Sequence, residues 1–207
     1  MGRGLFLSLY IGHMFANKTG SLMLEVKTLR QYGQKRVLVF KPTRDTRSGI
    51  GRIKNQSGDE MEANEIPETN PLEIIRVLKE EESKIGGRFH VLAFDETNFF
   101  PSNSGFFQLV CKLLDSGYDI IAAGLPFDFR GEPFGSTLLL TGLALDKCRW
   151  LTAYCTRCGK PAMFSQRLID GGAASYDSPQ VLVGGKDTYE PRCPEHFVLP
   201  DKPAPPL

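Results

Sequence analysis

Short, unbroken hydrophobic runs alternate along this chain with longer amphipathic stretches. The run 5–11 is apolar almost throughout, as a strand buried on both faces requires. Over 18–32, Leu22, Val26 and Leu29 recur at helical spacing and Gly33 marks the stop. Residues 37–40 form a second short strand closed by Pro42, a helical stripe over 71–82 carries Leu72, Ile75 and Leu78, and 89–94 is a third strand. A further helix is expected over 104–116, ended by Gly117, before a strand over 119–123. Strands alternating with helices imply right-handed crossovers and a parallel sheet, hence an α/β fold.

Two stretches break the alternation. Residues 43–70 are polar and rich in Gly, Asn and charge, with short strands expected at 52–55 and 61–63 around Ser57-Gly58, as a hairpin excursion or mobile loop. From Trp150 onward, short β-like runs at 153–154, 162–165 and 181–183 are punctuated by Gly and by cysteine pairs, as in a small metal-held domain. The expected organisation is a nucleotide-binding domain over 1–149, a zinc-binding domain over 150–200 and a disordered tail over 201–207, where three prolines fall.

Composition narrows the function classes. A chain of 207 residues holds a sizeable core without staples. Its formal net charge of +1 gives no long-range attraction for nucleic acid or an anionic membrane. Arg3 before the 5–11 run imitates a signal peptide, but the run is too short and lacks a small-residue cleavage pattern; Phe6 also breaks the myristoylation pattern after Met1-Gly2. With no stretch of membrane-spanning length, a cytoplasmic location is expected.

The first candidate chemistry follows the first strand. Gly12-His13-Met14-Phe15-Ala16-Asn17-Lys18-Thr19 reads as a phosphate-binding loop, G-x-x-x-x-G-K-[ST], with Asn17 at the second glycine. In such a loop backbone N–H groups wrap a phosphate, the lysine reaches the β/γ oxygens and the Ser/Thr hydroxyl sits on Mg²⁺. The strand over 89–94 then runs into Asp95-Glu96. With the loop upstream, Asp95 suits the metal side of a phosphoryl-transfer site and Glu96 the proton acceptor; alone, such acids are also common as solvated turn residues. Cys155-x-x-Cys158 and Cys193-x-x-His196 read as one Cys₃His zinc site, closed and therefore structural. Unrelated thiols or disulfides are the alternative, which the absence of a secretory signal disfavours. Cys111 and Cys148 remain unpaired, the former as a core residue of a helix.

The order of these motifs resembles the type II, zinc-containing thymidine kinase family over about 2–196. The phosphate loop is followed by Lys41-Pro42 and Asp45-Thr46-Arg47, then by Asp95-Glu96-Thr97-Asn98-Phe99-Phe100. Next come Ala123-Gly124-Leu125 and Asp128-Phe129-Arg130-Gly131-Glu132-Pro133-Phe134-Gly135, and between the zinc pairs lie Gln166-Arg167-Leu168 and Val183-Gly184-Gly185-Lys186-Asp187-Thr188-Tyr189-Glu190. The resemblance implies transfer of the γ-phosphate of ATP to the 5′-hydroxyl of thymidine or deoxyuridine, on a P-loop NTPase-type parallel sheet with flanking helices and a small lasso-bearing zinc domain. It implies Glu96 as catalytic base; Gly12 to Thr19, Arg47, Asp95 and Asn98 on the ATP side; Thr19 and Asp95 at Mg²⁺; and a structural Zn²⁺ on Cys155, Cys158, Cys193 and His196. The nucleoside would meet Met14, Phe99, Leu125, Phe129 and Phe134 as apolar walls and Ser165, Leu182, Val183, Gly184 and Tyr189 on the lasso. A homotetramer, with feedback inhibition by a deoxynucleoside triphosphate, is likewise implied.

Several positions depart from the family pattern: Asn17 for Gly, Asn98 where Gln is usual, and Pro126 after Leu125. Gly20 also weakens the start of its helix, by about 1 kcal/mol relative to Ala. Asn17 leaves open a catalytically weakened homologue that binds nucleoside or nucleotide. A nucleic-acid-stimulated ATPase is a third reading, for which Lys35, Arg36, Arg44, Arg47, Arg52 and Lys54 supply a basic cluster. The near-neutral charge and the lack of aromatic residues among those cations argue against it.

Overall fold

A computed structural model describes residues 6–144, 147–185 and 187–204. The expectations for residues 1–5, for Lys186 and for 205–207 of the tail lie outside them; within the tail, 201–204 are exposed and lack helix or strand. Six parallel strands form the central sheet: β1 (Leu7–Ile11), β2 (Val37–Pro42), β5 (Asn64–Ile66), β6 (Val91–Phe94), β7 (Asp119–Gly124) and β8 (Cys148–Trp150), in the order β5-β2-β6-β7-β1-β8. The inner strands are buried on both faces, which is why their sequences run apolar instead of alternating.

Alternate side chains of those strands supply two cores. Leu9, Ile11, Phe40, Leu92, Phe94 and Ile120 pack beneath α2 (Glu73–Lys84), α3 (Phe106–Asp115) and α4 (Thr137–Ala144). Tyr10, Val39, Val91, Ala93, Ile121 and Ala123 face α1 (Lys18–Gln31) through Leu22, Met23 and Val26. The second face is completed by the hairpin β3 (Arg52–Lys54) and β4 (Glu60–Glu62), whose inward Ile53 and Met61 join the same core. The polar excursion is therefore anchored: one side chain per strand is buried, and its outer positions are charged.

The helices and strands expected of 7–154 form with ends displaced by up to two residues, whereas the run expected at 162–165 is divided between two strands, Pro161–Ala162 and Phe164–Ile169. Three sheet-layer elements were not legible as such. Asn64–Ile66 becomes edge strand β5, the apolar 137–144 becomes α4, and Cys148–Trp150 becomes β8 beside β1. Beyond the sheet, β9 (Ala153–Tyr154) and β10 (Pro161–Ala162) make a short hairpin, and β11 (Phe164–Ile169), β12 (Gly172–Ala173) and β13 (Tyr189–Arg192) an antiparallel sheet in the order β12-β11-β13. Val181-Leu182-Val183 is not the strand expected of it. Its backbone is irregular, and these residues line a cleft instead of a sheet.

Candidate active site

The loop 12–19 leaves the carboxyl end of β1 and delivers Lys18 as the first residue of α1, so the helix N-terminus opens toward the cleft. Gly12 is needed for close approach, because a Cβ there would lie 2.4 Å from the Leu151 carbonyl oxygen. Asn17 adopts a left-handed conformation (φ 58°, ψ 36°), the region that asparagine tolerates best after glycine. Its side chain turns over the first helical turn: a Cβ added at Gly20 would lie 2.1 Å from Asn17 Oδ1. The two unusual residues are thus a matched pair, with Gly20 leaving the space that Asn17 fills. Lys18 is buried and its Nζ donates to the His13 carbonyl at 3.0 Å. Burial draws the Lys18 pKa down to about 8, with Glu96 and Asp95 opposing and Arg47 reinforcing the shift.

Opposite the loop, β6 ends in Asp95, whose carboxylate accepts a hydrogen bond from Thr19 Oγ1 at 2.9 Å. Glu96 follows in a left-handed conformation (φ 51°) at the head of a single 3₁₀ turn, Thr97–Phe99, that turns its carboxylate back into the cleft. Arg47 bridges two acids: Nε donates to Asp45 Oδ1 at 2.6 Å and Nη2 to Glu96 Oε1. Burial and the neighbouring Glu96 and Asp45 raise the Asp95 pKa well above the carboxylate range. For Glu96 burial acts upward as well, but the Arg47 and Lys18 charges outweigh it and keep the group ionised. Three buried carboxylates thus face two cations, and a hard divalent cation such as Mg²⁺ fits the oxygen set of Thr19 and Asp95.

Two clefts meet here. The first, of about 920 Å³, is lined by the phosphate loop, Asp45, Arg47, Ser48, Asp95 and the hairpin residues Lys54 and Gln56. The second, of about 440 Å³, is walled by Phe99, Leu125, Phe129 and Phe134 and closed by the segment 180–184. Met14, Arg47 and Glu96 line both, so the carboxylate of Glu96 stands at the junction. Phe99 and Phe134 meet edge-on at 5.9 Å, fixing the aromatic wall.

Away from the junction, Cys155 and Cys158 sit on the β9–β10 turn, with Cys193 and His196 just past β13. Their ligand atoms all lie within 4.8 Å of one another. Cys158 Sγ is 3.6 Å from Cys193 Sγ, and Cys193 Sγ is 3.3 Å from His196 Nδ1. Tetrahedral bonds of about 2.3 Å give edges of roughly 3.8 Å, so the set fits zinc. Burial raises the Cys155 thiol, but backbone N–H groups of Cys193, Arg157 and Cys158 bring it down to about 6, favouring the thiolate.

All ten residues expected around a nucleoside line the smaller cleft. On the phosphate side, Met14, Phe15, Asn17, Lys18, Thr19, Arg47 and Asp95 line the larger one, whereas Gly12, His13 and Ala16 form the back of the loop. Ala16 packs on Ala153 and Ala162, tying the loop to the hairpin that carries Cys155 and Cys158. Asn98 does not line the larger cleft: it is buried, and its Oδ1 accepts from the Leu125 N–H at 2.9 Å, bracing a wall of the smaller one. Cleft residues given no site role from the sequence include Asp45, Asp128 and Arg167, which lie inside the quoted motifs, and Ser48, Gln56 and Gln180, whose positions depend on contacts distant in sequence.

A loop opening onto a helix N-terminus, with an ionised carboxylate at the junction of a polar cleft and an apolar one, is an arrangement suited to a P-loop phosphotransferase acting on an organic hydroxyl. The sequence matches the family described as thymidine kinase over residues 5–197. It is 39% identical to the thymidine kinase of Thermococcus kodakarensis over 203 residues, 98% of each chain. It is 40% identical to that of Pyrobaculum aerophilum over 195 residues, 94% of this chain and 99% of the relative. The chain belongs to the thymidine kinase family.

Proposed function

We propose that the chain transfers the γ-phosphate of ATP to the 5′-hydroxyl of thymidine or deoxyuridine, a salvage step that supplies DNA precursors. The observation that carries this reading is the shared lining of the two clefts by Glu96 and Arg47. A nucleoside held between Phe99, Phe129 and Phe134 would present its 5′-hydroxyl at Glu96, among the described residues the one carboxylate that lines both clefts. Glu96 is kept ionised by Arg47 and oriented by it through one oxygen, leaving the other to accept the hydroxyl proton. Phosphoryl transfer passes through a loose transition state, so alignment and charge neutralisation count for more than the strength of the base.

Lys18, the loop amides and Arg47 would hold the transferring phosphate, and Thr19 and Asp95 would hold Mg²⁺. The metal supplies charge neutralisation on the β/γ oxygens. Zinc on Cys155, Cys158, Cys193 and His196 would hold the β9–β10 turn against the end of β13. As part of the same reading, the enzyme works in the cytoplasm as a homotetramer restrained by an end-product deoxynucleoside triphosphate. Among the described residues no helix is long and apolar enough to cross a membrane.

Incubation with Mg-ATP and thymidine should yield thymidine monophosphate, and no product where a positive-control kinase works would refute the proposal. Nothing favours a catalytically weakened homologue, since Asn17 occupies its left-handed position with its side chain over Gly20.

A further inference from the structure

Among the described residues Arg167 is the largest side chain to be almost fully enclosed, at 2% exposure, and no carboxylate among them forms an ion pair with it. A buried cation without a counter-ion is costly unless dipoles surround it. Here the dipoles are the segment that closes the nucleoside cleft. Arg167 Nη1 donates to the Pro179 carbonyl, Nη2 donates to the Gln180 carbonyl at 2.8 Å, and Nε and Nη2 donate to Tyr189 Oη at 3.1 and 2.6 Å. Tyr189 Oη passes its own hydrogen to the Leu182 carbonyl at 2.7 Å. The guanidinium lies 3.9 Å over the Phe129 ring, which lines the same cleft. Two neighbouring contacts extend the grip: Arg130 Nη2 donates to the Ser178 carbonyl at 2.7 Å, and Gln180 Nε2 to Asp128 Oδ2 at 2.9 Å.

The carbonyls of 178, 179, 180 and 182 are thus each captured by a side chain, while the N–H groups of 182, 183 and 184 donate to no acceptor among the described residues. Unpaired amides on a cleft wall are ready to meet a ligand's carbonyl oxygens. From this the geometry points to Arg167 as the positioning residue of the nucleoside site: its planar fork, relayed by Tyr189, freezes the backbone that would read the base. The assignment rests on the thymidine kinase reading above. It places the organising contact at a guanidinium within the fold, with the metal cluster serving the far end of the same strands.

Arg167→Met removes the donors while keeping most of the volume, Arg167→Lys keeps the charge without the fork, and Tyr189→Phe removes the relay. Because Arg167→Met alone can fail to fold, Tyr189→Phe serves as the independent variant. With saturating Mg-ATP, Arg167→Met should raise the KM for thymidine about tenfold or more, as expected for lost hydrogen bonds to a charged group. Its kcat and KM for ATP should stay within about threefold; Arg167→Lys and Tyr189→Phe should fall between it and wild type. Amide hydrogen exchange at 178–184 should quicken in the same order without substrate. Unchanged thymidine KM in Arg167→Met and Tyr189→Phe, or parallel loss of kcat and both KM values, overturns the assignment. Calorimetry on the wild type separates the two readings: no thymidine binding removes the functional reading and this one with it, whereas equal binding by wild type and variants removes only the role of Arg167.

Discussion

Asn17 and Gly20 offer a test of whether the altered phosphate loop is impaired or compensated. In the native background Gly20→Ala places a methyl 2.1 Å from Asn17 Oδ1 and 2.8 Å from its Cγ, so the amide must swing away, toward the phosphate cleft it already lines. Alanine gains about 1 kcal/mol over glycine within a helix. Forcing the amide off its rotamer costs of order 0.5–1.5 kcal/mol, so stability should hardly change. The KM for ATP should nonetheless rise severalfold as the side chain crowds the phosphate. With Gly at position 17 the obstruction is gone, and Gly20→Ala should deliver its full gain, about 1 kcal/mol or roughly 2–4 °C in Tm. The double-mutant cycle should therefore show coupling near 1 kcal/mol in urea unfolding without nucleotide. Asn17→Gly alone should leave kcat within about threefold, because the native amide already rests on Gly20. If Gly20→Ala shifts stability equally in both backgrounds, within about 0.3 kcal/mol, the two residues are independent and the compensation argument fails.

Glu96→Gln should lower kcat by a factor of about 10² or more while leaving thymidine affinity within a few-fold; turnover near normal would exclude Glu96 as the base. The His13 side chain is half-buried with its Nδ1 enclosed and unpartnered, and burial together with Lys18 lowers its pKa from 6.5 to about 4. The unfolded chain therefore takes up this proton first, so its contribution makes stability fall as pH drops from 6.5 toward 4 and is flat above that. His13→Asn should flatten the decline in urea-unfolding profiles, and an unaltered slope would show that His13 does not titrate as described. Cys158→Ser should yield protein with little bound zinc by elemental analysis and a reduced Tm; retained metal and Tm would remove Cys158 from the ligand set.

The sequence patterns that survived folding were those set by local periodicity or close spacing. Leu22 and Val26 on α1, the apolar β6 and β7, and the two zinc-ligand pairs could each be placed without knowing their neighbours. Elements whose identity depends on a partner could not. Asn64–Ile66 is a strand because β2 offers it a free edge, and Cys148–Trp150 because β1 does. The 137–144 helix has apolar residues on all sides and no stripe to betray it. The run 181–183 misleads in the opposite sense, being apolar to line a cleft instead of a sheet. Asn98 was grouped with the phosphate side by its motif neighbours, whereas in the fold its Oδ1 is taken by the Leu125 N–H, a contact 27 residues away that no local pattern carries.

The backbone contacts of the phosphate loop bear on modularity. Met14 donates its amide to Ser165 Oγ at 3.0 Å, and Gly12 lies against the Leu151 carbonyl, so two of the loop's first three residues are braced by chain from beyond the sheet's last strand. A fragment ending at Trp150 would keep every strand of the central sheet, yet leave Met14 N–H without its acceptor and Ala16 without its packing surface. The C-terminal region is thus not a cap that could be exchanged or cut away to leave a working nucleotide binder. Its inheritance is tied to that of the loop, and a swap between relatives would have to carry residues 12–16 along with 151–165.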